Sequence, residues 1–398
     1  MFAALRNRAQ RRDLELSNRL YDEGGRLGEQ ERWAEAESTF RQAIELCTRR
    51  FGAEDGWTLV IRTGRAAVLR QLDRDDEALT ELQELLAHCP AVLGETHAAT
   101  AEVRLGLASM LIARGRPAEA ERLLAVVLRH RSAPDERALA AWDANLRAHA
   151  AQGRHREAVD GSRVLQEETA RVYGANDIRT LKVASDRVQN LVHLGEYEEA
   201  ERECRTLLDL HGTPSLLWLS VMNALVMALN GLGRHGEAEV TAREALRRQR
   251  EVTRASNDMR IALSLGLARS LSGSGRHEDA LQIAIQAEAE FRDGPGVRVA
   301  LAAPISTVTA QALLGLGRAD EAEAASRKAV ELAGPLGPTH HSTLEAATTL
   351  GTALAAQHRH AEARDHLTRC TTAWREHFGP EHPRTLAAET ALAALPPA

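Results

Sequence analysis

Sixteen histidines, four cysteines and a long series of Glu and Arg residues are the side chains here that could do chemistry. Histidine is the commonest metal ligand and general base, so its spacing decides what it is for. His155, His235, His277 and His360 each stand two residues after a glycine or its equivalent, a position held elsewhere by Trp33 and Tyr197. A place shared with Trp and Tyr asks for a flat ring that packs, not for a ligand. His97, His340 and His382 share another position, just ahead of apolar-periodic stretches, and are expected to help start helices. The cluster His358, His360, His366 lacks the i, i+4 histidine pair with Glu of an HExxH site, so no metal is assigned to it. Cys47, Cys89, Cys204 and Cys370 form no C-x-x-C pair, and the last two align with Leu82, Leu124, Ala43 and Ala329, as buried structural thiols would. There is no G-x-S-x-G elbow, kinase signature or G-x-x-x-x-G-K-[ST] loop. The expectation is a protein with no catalytic residues, no cofactor and no metal.

The elements that carry these side chains repeat. A tight turn followed by an acidic residue and Ala recurs as RGRPAEAE (114–121), QGRHREAV (152–159), LGEYEEAE (194–201), LGRHGEAE (232–239), SGRHEDAL (274–281) and LGRADEAE (316–323). Weaker copies are ERWAEAE (31–37), LDRDDEAL (72–79) and QHRHAEAR (357–364). The aligned alanines, Ala36, Ala78, Ala120, Ala158, Ala200, Ala238, Ala280, Ala322 and Ala363, are 42, 42, 38, 42, 38, 42, 42 and 41 residues apart. Such a period over the whole chain signals a solenoid, whose units bury their core only against neighbours. On either side of each turn lies an apolar stretch of helical period, as in 100–115 and 118–131. Only 3% of residues are aromatic, so Ala and Leu must do the packing, which suits closely spaced helices. The prolines agree: Pro117 falls at a helix start, Pro304 is placed in a first turn, and Pro90, Pro134, Pro214, Pro295, Pro335, Pro338, Pro380 and Pro383 fall between hairpins.

The inter-repeat segments FGPEHPRTLAAET (378–390), LGPTHHSTLEAAT (336–348) and YGANDIRTLKVAS (173–185), with weaker copies at 51–63 and 93–105, resemble the linker of kinesin-light-chain-type tetratricopeptide repeats. That resemblance covers residues 14–395 and implies an all-α, right-handed solenoid of about nine hairpins. The expected plan is a basic lead-in over 1–13 and one superhelical domain over 14–398. Its hairpins are placed at 14–50, 57–91, 97–131, 136–171, 178–211, 214–251, 257–291, 297–333 and 341–377, with a capping helix at 383–395. The array is read as stand-alone and bacterial in type, since the first hairpin begins near Leu14. The linkers at 130–139 and 210–218 belong to the two shortened steps, where a local change of superhelical pitch is expected.

What the resemblance implies for function is binding of a protein or peptide in a groove lined by the first helix of each hairpin. Groove-facing side chains, counted back 13, 10, 6 and 3 residues from the turn, are expected to include Asp143, Arg147, Lys182, Ser185, Gln189, Trp218, Asn223, Met227, Asn230 and Arg269. Amides among them suit a peptide backbone, Arg and Lys suit carboxylates, and Trp218 would be an apolar anchor. The asparagine ladder of the family is mostly missing: the tenth position before the turn keeps only Asn223. The leading expectation is a non-enzymatic adaptor holding a partner protein; the alternative is a sensor of a short signalling peptide that controls a regulator or enzyme. A net charge of −6 gives no field to recruit nucleic acid directly. No apolar run reaches the ~20 residues that span a bilayer, and MFAALRNRAQRRD lacks a secretory core. A cytoplasmic protein off the membrane is expected, with self-association through the last helix left open.

Overall fold

The computed structural model describes residues 2–30, 32–72, 74–129, 135–252, 257–293 and 299–396. Among the described residues the chain is all-α, with nineteen helices, two short 3-10 turns and no strand. The helices gather into two compact units, Met1–Asn145 and Leu146–Ala398. Unit 1 holds α1 (Phe2–Glu29), α2 (Trp33–Phe51), α3 (Gly56–Gln71), α4 (Asp75–Val92), α5 (Ala98–Ala113), α6 (Pro117–Arg129) and the first part of α7 (Glu136–Ala151). Unit 2 continues with α8 (His155–Tyr173), α9 (Ile178–His193), α10 (Tyr197–Leu210), α11 (Leu216–Gly231), α12 (His235–Arg248), α13 (Asn257–Gly273) and α14 (His277–Asp293). It ends with α15 (Val299–Gly315), α16 (Ala319–Ala333), α17 (His341–Ala356), α18 (His360–Phe378) and α19 (Pro383–Ala393). Helix α1 runs unbroken from Phe2 through the basic stretch at the N-terminus.

Each recurring turn is closed by one bond. The residue after the turn glycine donates its N–H to the carbonyl five positions back, from Arg32 to Leu27 through Arg359 to Leu354, at 2.8–3.1 Å in all nine turns. This is the six-to-one bond of a Schellman cap, and it needs a left-handed residue between. Gly115, Gly153, Gly195, Gly233, Gly275 and Gly317 supply it, with φ between 72° and 79°; in the last turn His358 takes φ 60° instead. The motif alanines, 0–1% exposed throughout, then let the two helices of a pair close on each other.

The Arg and Glu of the motif do the joining. The turn Arg pairs with the acid three residues on, as in Arg234–Glu237 and Arg359–Glu362. It also reaches back to the Glu after the motif Ala of the preceding pair: Arg234 to Glu201 at 2.6 Å, Arg276 to Glu239 at 2.8 Å and Arg359 to Glu323 at 2.8 Å. In unit 1 Arg74 reaches Glu37 at 3.6 Å.

The linkers are equally regular. Asp55, His97, Asp177, His340 and His382 are N-caps whose side chains accept the N–H two residues on, at 2.9–3.2 Å. Thr58, Thr100, Thr180 and Thr385 donate to the linker glycine carbonyl six residues earlier, at 2.8–2.9 Å. The helix-starting role expected of His97, His340 and His382 is therefore what their rings perform.

Two prolines depart from expectation. Pro90 is inside the last turn of α4 rather than between hairpins, where it removes the N–H that Leu86 would have received and crowds that carbonyl, close to where the helix ends. Pro304 is the sixth residue of α15, past the first turn. Pro117 and Pro383 are first residues of their helices, as their missing N–H allows. Pro134, Pro295, Pro397 and residues 130–134 of the first short linker lie outside the described residues. The second short linker runs from Leu210 to α11, which Ser215 caps through its Oγ to the Trp218 N–H at 3.1 Å.

Candidate functional site

Unit 2 holds a cavity of about 920 Å³, walled by α9, α11, α13, α15 and α17, the end of α7, the first residue of α8, and the start of α19. The turn geometry places the rings that line it. In three successive pairs the ring two residues after the turn glycine lies on a glycine of the next first helix. A Cβ at Gly231 would come within 2.4 Å of Tyr197, at Gly273 within 2.4 Å of His235, and at Gly315 within 2.2 Å of His277. These rings are packing elements, as their shared position suggested.

His155 occupies the same position one pair earlier, but its neighbour is His193, where the next three pairs carry glycine. The two rings stack at 4.7 Å, and His341 packs against both, 4.0 Å from His193 and 5.2 Å from His155. Asn190 donates to the Asp186 carbonyl at 2.7 Å, which turns its Oδ1 to His155 Nδ1 at 2.8 Å. His155 Nδ1 is therefore the protonated nitrogen, and Nε2 faces His341 Nδ1 at 3.2 Å. Burial pushes the pKa of His155 down, against the Asn190 bond that favours its charged form. Burial, then the neighbouring rings, hold His193 and His341 well below the usual range. His340 is lowered to about 4 by burial and by His155. His382 is lowered by burial, and its Nε2 donates to the His193 carbonyl at 3.1 Å.

Beside the rings sits a carboxylate that is mostly shielded, its side chain 14% exposed. Glu345 accepts from Arg269 at 2.6 Å and from Gln311 at 3.2 Å, and pairs with Arg384 at 3.0 Å. Burial raises its pKa, but the two guanidinium charges outweigh that and hold it far below the usual carboxylate range. Glu345 in turn raises Arg384, which also bonds Tyr197.

Of the expected groove residues, Arg147, Gln189, Asn223, Met227, Asn230 and Arg269 all line this cavity. Gln189 donates to Ser220 Oγ at 2.7 Å, and Asn230 Nδ2 donates to the Gly266 carbonyl at 3.1 Å. Asn223 Oδ1 is buried and has no hydrogen-bond partner among the described residues. Lys182 is half-exposed and pairs with Asp186, a lining residue, at 2.8 Å. Asp143 belongs to unit 1 and is not one of the lining residues. Ser185 is buried, 1% exposed. Trp218 is not a groove side chain: it is 5% exposed, packed with Leu219, Met222, Ala245 and Leu263, with the Arg248 guanidinium 5.0 Å from its ring. The reason is angular. Trp218 stands two residues, about 200° of helix, from Ser220, which holds the counted position. Sequence reasoning missed Asn190, His193, Gln311, His341, Glu345 and Arg384. A histidine aligned with Gly231, Gly273 and Gly315, and the doublet His340-His341, were the available signals.

Paired helices stacked by period, with a concave lining of amides and guanidiniums, define an interaction scaffold of helical repeats. The chain belongs to the tetratricopeptide repeat family: sequence models of that description match residues 27–91, 57–133 and 307–376, and another matches 218–253. No curated protein matches the sequence. Among solved structures it is similar to a Rap protein complexed with Competence and Sporulation Factor, at TM-score 0.57 and 12% identity over 84% of this chain and 98% of that one. It is also similar to a tetratricopeptide repeat protein from Parabacteroides merdae ATCC 43184, at 0.47 and 12% over 69% and 93%. A third is a Podosopora anserina structure of kinesin-light-chain tetratricopeptide-like repeats, at 0.41 and 18% over 49% and 94%. The Rap likeness shows a shared fold. No helix among the described residues is long and apolar enough to cross a membrane.

Proposed function

We propose that the protein is a non-enzymatic binding scaffold that takes a short peptide, or a peptide segment of a partner protein, into the unit 2 cavity. The observation that carries this reading is the cavity itself, about 920 Å³ and lined by Gln189, Asn190, Asn223, Asn230 and Gln311 with Arg147, Arg269 and Arg384. That volume lies within the roughly 300–1,000 Å³ of small-ligand sites, too small for a folded domain. Side-chain amides suit a peptide backbone, and the buried Asn223 Oδ1 is an acceptor that a backbone N–H would satisfy. Met227 and Leu265 add apolar contact. The Rap protein of similar fold is complexed with Competence and Sporulation Factor, and a ligand-binding role carries over here as part of the proposal. A cytoplasmic setting belongs to the same proposal, in keeping with four free, buried cysteines.

The test is selection of random peptides by the full chain from a display library, followed by calorimetry on the peptides recovered. Wild type should enrich related sequences, and the double variant Gln189→Leu, Asn223→Leu should bind them about tenfold or more weakly, as loss of two buried hydrogen bonds implies. Failure to enrich any sequence, or equal affinity in the variant, would overturn the reading and return attention to a folded partner on an outer face.

A further inference from the structure

We propose that His155, His193 and His341 form a binding site for one divalent transition metal, Zn²⁺ in the first place, that joins two distant stretches of unit 2. Their candidate ligand nitrogens all lie within 4.8 Å of one another. Imidazole nitrogen suits zinc and its neighbours rather than Mg²⁺ or Ca²⁺. Zn–N bonds of about 2.0–2.1 Å in a tetrahedron place ligand nitrogens about 3.4 Å apart. His155 Nε2 and His341 Nδ1 are already 3.2 Å apart, and the His193 nitrogen, within 4.8 Å of both, has to close to the same spacing.

Two further observations point to a ligand. First, His155 has its outer partner in place: Asn190, itself fixed by the Asp186 carbonyl, takes the Nδ1 proton and leaves Nε2 with its lone pair toward the cluster. Such a second partner is a regular companion of metal-bound histidine. Second, the fold does not ask for the other two histidines. His193 stands where Gly231, Gly273 and Gly315 accept a ring of the preceding pair, and His341 follows the helix cap His340, aligning with Pro383, Ile178, Ala98 and Gly56.

All three rings line the cavity, so three protein ligands leave a fourth position open to it, for water or a donor atom of whatever enters. The charged groups facing the cluster are Glu345 and Arg384, with His340 and His382 beside them. Glu345 is committed to Arg269, Gln311 and Arg384 and is not the fourth ligand. His155 and His193 lie 186 and 148 positions before His341, so a bound ion would hold the start of α8 and the end of α9 to the start of α17. This inference is independent of the peptide reading and stands or falls without it.

The experiment is titration of the chelator-treated full chain with Zn²⁺ by calorimetry and with Co²⁺ by visible absorption. One equivalent should bind, Co²⁺ should give the d–d bands of a low-coordinate nitrogen site, and Zn²⁺ should raise the melting temperature. His193→Gly, which copies the residue of three other pairs, and His341→Gln should each weaken binding by about tenfold or more and abolish the thermal shift. Their circular dichroism in chelator reports whether the fold is kept, and either variant alone decides the matter if the other unfolds. Absence of saturable binding in wild type overturns the proposal. So does binding that survives both substitutions, or that is lost instead in a His358→Ala, His366→Ala variant of the other histidine cluster.

Discussion

At the scale of single residues, the same side-chain type does different work according to what the neighbouring pair offers. His235 and His277 each lie against a glycine and are packing rings, whereas His155 meets two further histidines, His193 and His341. Trp218 shows the opposite case, a large side chain that looks like an anchor for a ligand and is spent on the core. Removing its buried indole should leave a cavity among Met222, Ala245 and Leu263. Trp218→Ala is therefore expected to cost about 3–5 kcal/mol of stability, read by urea denaturation, while peptide affinity per folded molecule stays unchanged. A stable variant with impaired binding would put Trp218 back in the groove. Its misplacement from sequence has a plain cause: aromatic size was noticed, but the helical angle separating 218 from 220 was not followed.

At the scale of the helical pair, the recurring Gly-Arg-x-x-Glu-Ala string is a joint rather than a site. Glycine closes the first helix, alanine admits the second, and the Arg grips both its own acid and the Glu of the preceding pair. Glu323 shows the consequence for pH. Hydrogen bonds from Gln357, Arg327 and Arg359 outweigh partial burial and hold its pKa at about 2, below the ordinary 4.5. A carboxylate depressed in the folded state stabilises it fully above pH 4.5, and that contribution is lost as pH falls toward 2. Glu323→Gln should accordingly lower the melting temperature at neutral pH and flatten its decline between pH 4.5 and 2. An unchanged acid limb would show that the pair is solvent-screened and contributes nothing. The motif, its period and its turn chemistry were legible in the sequence because each depends on residues a few positions apart. The second partner of Arg74, Arg234, Arg276 and Arg359 was not, since it lies a full repeat away.

At the scale of the whole molecule, unit 2 is tied across long stretches of chain by groups that no repeat pattern announces. Glu345 of α17 holds Arg269 of α13, Gln311 of α15 and Arg384 of α19 at one point. Neutralising it leaves two guanidiniums beside a cavity with no counter-charge. Glu345→Gln is expected to cost roughly 3–5 kcal/mol, as for other buried pairs robbed of one partner. It should also speed hydrogen exchange in α19 and at the end of α9, where His382 donates to the His193 carbonyl. Exchange that is faster everywhere alike, rather than at those two places, would mean that Glu345 serves general stability and not the tie.

The sequence alone determined the all-α repeat architecture, the positions of the turns, the helix caps and the buried alanines. All follow from local geometry: a left-handed glycine, an N-cap acceptor and a small side chain act within one turn of helix. It also placed six of its groove residues on one lining, because 3, 6, 10 and 13 are steps along one helical face. Tertiary structure decided the rest. Whether His193 meets only the ring of the preceding pair or a third histidine as well, whether Glu345 is solvated or clamped, and how large a cavity remains depend on residues 34 to 189 positions apart. Such distances are set by the accumulated geometry of every intervening pair, and no periodicity records them. The sixteen histidines from which chemistry was first sought thus divide by tertiary position. Most are structural rings, caps or exposed side chains, and three converge as a candidate metal site.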